Sequence, residues 1–350
     1  MREIKYPVAK PDLSGNEIEY VNEAVKTGWI SSQGKFIKDF ENLFAKKHNV
    51  KCGIACSSGT NAILLALRAL NIGIGDEVIV PDFTMIATAW AVSYTGAKPV
   101  FVDCGEDFNI DISKIEEKIT EKTKAIIPVH IYGRQCNMEK ILEIAKEYNL
   151  KIVEDSCEAI GVEPKGDIAC FSLYANKIIT AGEGGICLTN NENVAWQIEH
   201  LKSMSFNINH TFYHPKLGYN FRMTNMQGAV ALAQAERLEE FLEKRREIES
   251  WYNEGLKNIS QIKIQPKRNV LWMYDILVDD REKLIEFLKE NGIETRLFFK
   301  PMSIQPMYRG CDISKKSLEI SKLGLYLPTY TILTEKDVKF ICDKIKEFYD

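Results

Sequence analysis

Residues 151–190 read KIVEDSCEAIGVEPKGDIACFSLYANKIITAGEGGICLTN. Two short apolar runs, at 152–153 and 168–171, each deliver polar residues at their ends: first Glu154 and Asp155, then Ser172, Asn176 and Lys177. In an open α/β sheet the ends of parallel strands converge on one edge, and ligands bind there. A strand ending in a carboxylate, then a strand ending in a lysine, therefore lays out an active site. The small, flexible run Gly182-Glu183-Gly184-Gly185 follows the lysine.

Outward from this stretch the chain alternates strands and helices. CGIAC, EVIVP, KPVFVD, KAIIPVH, KIVED, IACFS and GICLT are strand candidates, with helical patterns at 85–95, 113–121 and 137–148. This alternation predicts parallel βαβ units in a doubly wound sheet. We expect an α/β fold of three parts. Residues 1–50 form an arm with two helices that pack on the rest, 51–240 a large domain, and 241–350 a smaller α+β domain. Ser14 and Glu17 have capping-box spacing ahead of the first helix. A long helix from about Asn225 to Leu256 is expected to connect the two domains. After it come a strand at 270–278, a helix at 280–291, a strand at 293–298 and a helix at 334–348.

Composition narrows the function. The 350 residues are 45% apolar and 27% charged, as in a globular protein, and a net charge of −4 offers no basic surface for nucleic acid. The nine cysteines show no repeated short spacing and read as reduced thiols. Cys52 and Cys56 lack a second ligand pair, so no metal site is expected. The first residues lack the apolar core of a signal peptide, and no run is long enough to span a membrane. A cytoplasmic location is expected.

Three groups of residues carry chemistry. Ser57-Ser58-Gly59-Thr60-Asn61 lies between a strand and a helix, where N–H groups at the helix start bind phosphate; an ordinary capped helix is the other reading. Asp155 ends an apolar strand and either caps the following segment or pairs with a protonated ring nitrogen. Lys177 lies between a strand and a glycine loop, away from any solvated helical face. A phosphate cradle, an acid and a lysine in one sheet are the three contacts that pyridoxal 5′-phosphate needs. Neither G-x-x-x-x-G-K-[ST] nor G-x-G-x-x-G occurs.

With CSSGTNAILLAL, GDEVIVPDFTMIATA, KAIIPVHIYG, IVEDSCEAIG, SLYANKIITAGEGG and YNFRMTNMQGAVALAQ in register, nearly the whole chain resembles the sugar aminotransferase family typified by DegT, DnrJ, EryC and StrS proteins. That family has the type I fold of the pyridoxal-phosphate transferases, with a mostly parallel seven-stranded sheet. EDSCEA, NKIITAGEGG and HPKLGYNFRMTN look most like the perosamine synthases, which aminate C4 of a nucleotide-linked 4-keto-6-deoxyhexose with L-glutamate as donor. The resemblance implies Lys177 as the Schiff-base lysine and Asp155 as the ring-nitrogen partner. It implies Ser58, Gly59, Thr60 and Ser172 at the phosphate, and Asn220 reaching the cofactor of the second subunit of a homodimer.

Glu158 stands where many relatives carry Gln or His, and Met85 where many carry an aromatic that stacks on the ring. Related dehydratases place His at the lysine position, so Lys177 implies amino transfer. Arg222, Arg296 and Lys300 are candidates for the diphosphate and read equally well as surface residues. His214 is a candidate for the sugar from across the dimer. Phe298, Phe299 and Tyr308 read as pocket or core. The same chemistry on a UDP- or dTDP-linked gluco sugar, and a 3-aminotransferase, stay open. A cofactor-binding regulator is disfavoured because too little chain precedes residue 51 to hold a DNA-binding module.

Overall fold

A computed structural model describes residues 4–206, 209, 211–265 and 267–350. Part of the aromatic loop at 206–221, namely residues 207, 208 and 210, lies outside the described residues.

Helices α1 (Glu17–Thr27) and α2 (Lys35–Lys47) precede β1 (Cys52–Cys56), α3 (Gly59–Ala69), β2 (Glu77–Pro81), α4 (Ile86–Thr95), β3 (Lys98–Val102) and β4 (Thr123–Ile126). Then come α5 (Met138–Glu147), β5 (Lys151–Asp155), β6 (Ile168–Ser172), β7 (Gly185–Thr189), α6 (Glu192–Lys202), α7 (Asn225–Glu236) and α8 (Leu238–Leu256). The chain closes with β8 (Ile262–Ile264), β9 (Tyr274–Val278), α9 (Arg281–Glu290), β10 (Arg296–Leu297), α10 (Lys315–Leu323), β11 (Gly324–Leu327) and α11 (Glu335–Tyr349).

The seven strand candidates form one sheet, ordered β1-β7-β6-β5-β4-β2-β3. The pairs β2–β3, β2–β4, β4–β5 and β5–β6 are parallel, and β7 runs against both its neighbours. Strands β6 and β7 are buried throughout, which is why they read as continuous apolar runs and not as alternating ones. Helix α3 is buried along most of its length and packs on β6, β7, α4 and α6. Helix α5 turns Met138, Ile141, Ile144 and Ala145 inward at helical spacing.

A second sheet, antiparallel and ordered β10-β11-β9-β8, lies in the C-terminal part. The N-terminal arm packs against this part. Tyr6 bridges Ile293, the Val8 N–H donates to Glu294 Oε2 at 2.9 Å, and both Tyr6 and Val8 are buried.

Several expectations are corrected. The long helix breaks at Arg237, whose backbone leaves helical geometry (ψ 11°) while its guanidinium ties Asp12 and Glu240. The capping box at Ser14 does not form, because Ser14 Oγ donates to Asp12 Oδ1 and Glu17 Oε1 accepts from Gln234 Nε2. The helix expected at 113–121 is two 3₁₀ turns, Ile112–Lys114 and Glu116–Lys118. The strand expected at 293–298 is reduced to the two residues of β10. Strands β8 and β11 and helix α10 were not anticipated; α10 runs straight into β11 at Gly324 with no polar turn between them.

Candidate active site

The strand ends converge as the sheet rule requires. Ser58, Gly59 and Thr60 follow β1, Thr84 and Met85 follow β2, Asp155, Cys157 and Glu158 end or follow β5, and Ser172 to Lys177 end or follow β6. All of these line one cavity of about 410 Å³ except Leu173 and Ala175. Its roof comes from the second sheet and its approaches: Trp272, Met273, Arg296, Leu297, Phe299 and Tyr326.

Successive side chains of a strand point to opposite faces, so the two carboxylates of β5 part company. Asp155 faces the cavity and is 4% exposed; its Oδ2 accepts from Thr88 Oγ1 at 2.7 Å and its Oδ1 from the Cys157 N–H at 3.1 Å. Glu154 is fully buried on the other side, where it meets His130 Nε2 at 2.8 Å and accepts from the Lys165 N–H.

Two glycines let the phosphate-binding candidates close up. A Cβ at Gly59 would come within 2.8 Å of Ser172 Cβ and 2.9 Å of Cys157 Sγ. A Cβ at Gly185 would lie 2.4 Å from the Ser58 carbonyl oxygen, so only glycine lets the turn after β1 descend onto β7. Ser58 Oγ accepts from the Asn61 N–H at 3.2 Å and caps α3. The capped-helix reading therefore holds, and it leaves the first N–H groups of α3, which have no intrahelical partners, at the cavity.

Glu158 is 3% exposed, and its Oε2 accepts from the Tyr132 N–H at 2.9 Å. Tyr132 has a left-handed backbone (φ 52°), a conformation that non-glycine residues adopt rarely and that clusters at functional sites. Burial pushes the Glu158 carboxyl up from 4.5 to about 7, although Lys177 and the Tyr132 N–H pull it down. Burial also pushes the Cys157 thiol well above its ordinary range, so Cys157 packs beside Gly59 as a neutral group. Lys177 Nζ lies 3.9 Å from the centre of the Trp272 ring.

The structure thus brings together Ser58, Gly59, Thr60, Met85, Asp155, Glu158, Ser172, Lys177 and Arg296. Met85 is 48% exposed at the start of α4. The other candidates, Phe299 excepted, lie outside the cavity of this chain. Asn220 Oδ1 accepts from Arg222 Nε and Nη2, and Arg222 lines a separate hollow with Lys38, Glu41 and Lys202. His214 is exposed, with Nδ1 2.7 Å from the Met204 carbonyl oxygen. Lys300 is exposed, Tyr308 bonds Ser93 at 2.9 Å, and Phe298 packs among core aromatics while Phe299 reaches the cavity.

Sequence reasoning missed Thr88, Tyr132 and Trp272. A signal existed for Thr88, the one hydroxyl residue in the apolar first half of α4, Ile86 to Val92. For Trp272 there was none, since its partner Lys177 is distant in the chain.

The residues match the model of the DegT/DnrJ/EryC1/StrS aminotransferase family over 11–346. The chain belongs to this family. It is 43% identical to GDP-perosamine synthase of Caulobacter vibrioides, with 95% of each chain covered. It is 42% identical to GDP-perosamine synthase of Escherichia coli O157:H7, with 99% of each covered. Among solved structures, Spr1654 from Streptococcus pneumoniae in its PLP-form superposes with a TM-score of 0.91 at 27% identity, over 97% of each chain. The expected family, fold class and aminotransferase activity are borne out. Among the described residues no group of three or more His, Cys, Asp or Glu could hold a metal ion, and no helix is long and apolar enough to cross a membrane.

Proposed function

We propose that this enzyme uses pyridoxal 5′-phosphate to move an amino group from L-glutamate to C4 of a GDP-linked 4-keto-6-deoxyhexose, giving a perosamine-type sugar. The observation that carries the reading is the convergence of Lys177, Asp155 and the Gly59 cradle on one cavity. Relatives described as GDP-perosamine synthases support the sugar and the nucleotide.

The residues present fit the cofactor. The buried Asn176 Oδ1 lacks a protein partner and lines the same cavity, as a site that awaits a ligand would have it. Lys177 would hold the cofactor covalently, Asp155 would hold a proton on its ring nitrogen, and Gly59, Thr60, Ser58 and Ser172 would take its phosphate. Glu158 and Met85 would flank the ring. When bound, the cofactor supplies the electron sink for amino transfer. Lys177 Nζ is the base and acid that takes a proton from the donor's α carbon and returns one to C4 of the sugar. Arg296, at the mouth, would meet the diphosphate.

Asn220, His214 and Arg222 lie on the surface of the single chain, which supports a homodimer in which Asn220 of one subunit completes the site of the other. Lys300 and Tyr308 are assigned to the outer nucleotide-binding region. A cytoplasmic location belongs to this reading.

The test is to incubate the purified protein with L-glutamate and GDP-, UDP- and dTDP-linked 4-keto-6-deoxy sugars and measure 2-oxoglutarate. Release with the GDP substrate, at the highest kcat/KM of the three, and its loss in Lys177→Ala are expected. No release with any of them would overturn the reading.

A further inference from the structure

We propose that Trp272 is a positioning residue for the Lys177 amine, which the face of its indole holds inside the cavity. Lysine carries its charge on a flexible stem, and a reactive lysine must be kept at one place without being locked there. The usual restraint is a carboxylate. Asp155, Glu158 and Glu183 line the same cavity, yet among the described residues Lys177 has no ion pair within 4.0 Å. Its amine lies instead 3.9 Å from the centre of the Trp272 ring. An aromatic face attracts a cation through its quadrupole and makes no hydrogen bond that must be broken before the amine can act.

The indole is itself fixed from several sides. It is 3% exposed. Its Nε1–H donates to the Asn176 carbonyl oxygen at 2.9 Å, which ties the ring to the residue just before the lysine. Its own backbone carbonyl accepts from the buried Arg245 guanidinium at 2.8 Å. Tyr132 and Tyr326 flank it, each with ring centres 6.2 Å away. Because Trp272 enters from the segment before β9, the C-terminal part of the chain sets the position of a lysine that the large sheet carries. The amine is left free of Asp155 and Glu158, which remain available to other atoms in the cavity.

The inference rests on Lys177 as the reactive amine, and its first test is independent of turnover. The full chain, stripped of cofactor, is acetylated with limiting acetic anhydride, and modification of Lys177 is read by peptide mass spectrometry against exposed Lys300. Trp272→Met, whose unbranched thioether refills the space, removes the aromatic face; Trp272→Phe keeps a face and loses the N–H. Lys177 acetylation is expected to rise about fivefold in Trp272→Met and to stay within about twofold of the parent in Trp272→Phe. An unchanged rate in Trp272→Met, or equal rates in the two variants, overturns the proposal.

Should Trp272→Met not fold, tryptophan emission decides. Lys177→Met is expected to alter it in the parent chain and to leave it unaltered in Trp272→Phe, and an equal change in both overturns the proposal. In turnover, Trp272→Met is expected to lower kcat with KM for the sugar nucleotide unchanged, whereas a matching rise in KM overturns it.

Discussion

Glu158→Gln separates the charge of a buried carboxyl from its shape. Burial raises the carboxyl from 4.5 to about 7. The folded, cofactor-free protein therefore keeps a proton that the unfolded chain releases, and the difference opens as pH passes the lower value and closes at the higher one. The unfolded state binds fewer protons in this window, so the group's stabilising contribution is full below pH 4.5 and is lost as pH rises through about 7. At about 1.4 kcal/mol per pH unit the loss is on the order of 3 kcal/mol.

Gln at this position does not titrate and still accepts the Tyr132 N–H through its amide oxygen. The variant is thus expected to gain about 3 kcal/mol relative to the parent chain between about pH 4.5 and pH 8. Urea unfolding of both proteins at fixed concentration, at the two ends of this window, measures the gain as a change in midpoint. A stability difference that is the same at both pH values would refute the reasoning, because Glu158 would then titrate alike in the folded and unfolded states.

The remaining predictions concern the supports of the site. Thr88→Val removes the hydroxyl that donates to Asp155 Oδ2 and leaves that oxygen short of a partner; a loss of ~1–3 kcal/mol in urea unfolding and a fall in kcat are expected. Asp275→Leu removes the buried carboxylate to which the guanidinium groups of Arg134 and Arg268 both donate, while Arg268 keeps Glu249; a loss of ~3–5 kcal/mol is expected by the same assay.

The sequence by itself determined the seven strands of the large sheet, their placement between helices, and the residues that end them. These are local matters: apolar runs, small-residue turns and a lysine beside glycines. It also held the family, because long strings matched in register. Glu154 and Asp155 stand together at the end of KIVED in the sequence, and only the sheet shows that Asp155 faces the cavity while Glu154 faces away from it.

The tertiary structure alone decided the rest. A helix expected over about 225–256 breaks at Arg237, whose guanidinium meets Asp12 of the arm, more than two hundred residues earlier. Glu158 is an ordinary carboxyl in the sequence and a perturbed one in the fold, since burial comes from the whole surroundings. Trp272 reads as part of a buried strand until its ring is found over Lys177. Residue type and local pattern are properties of neighbours in the chain, whereas burial, charge pairing and aromatic contact belong to neighbours in space.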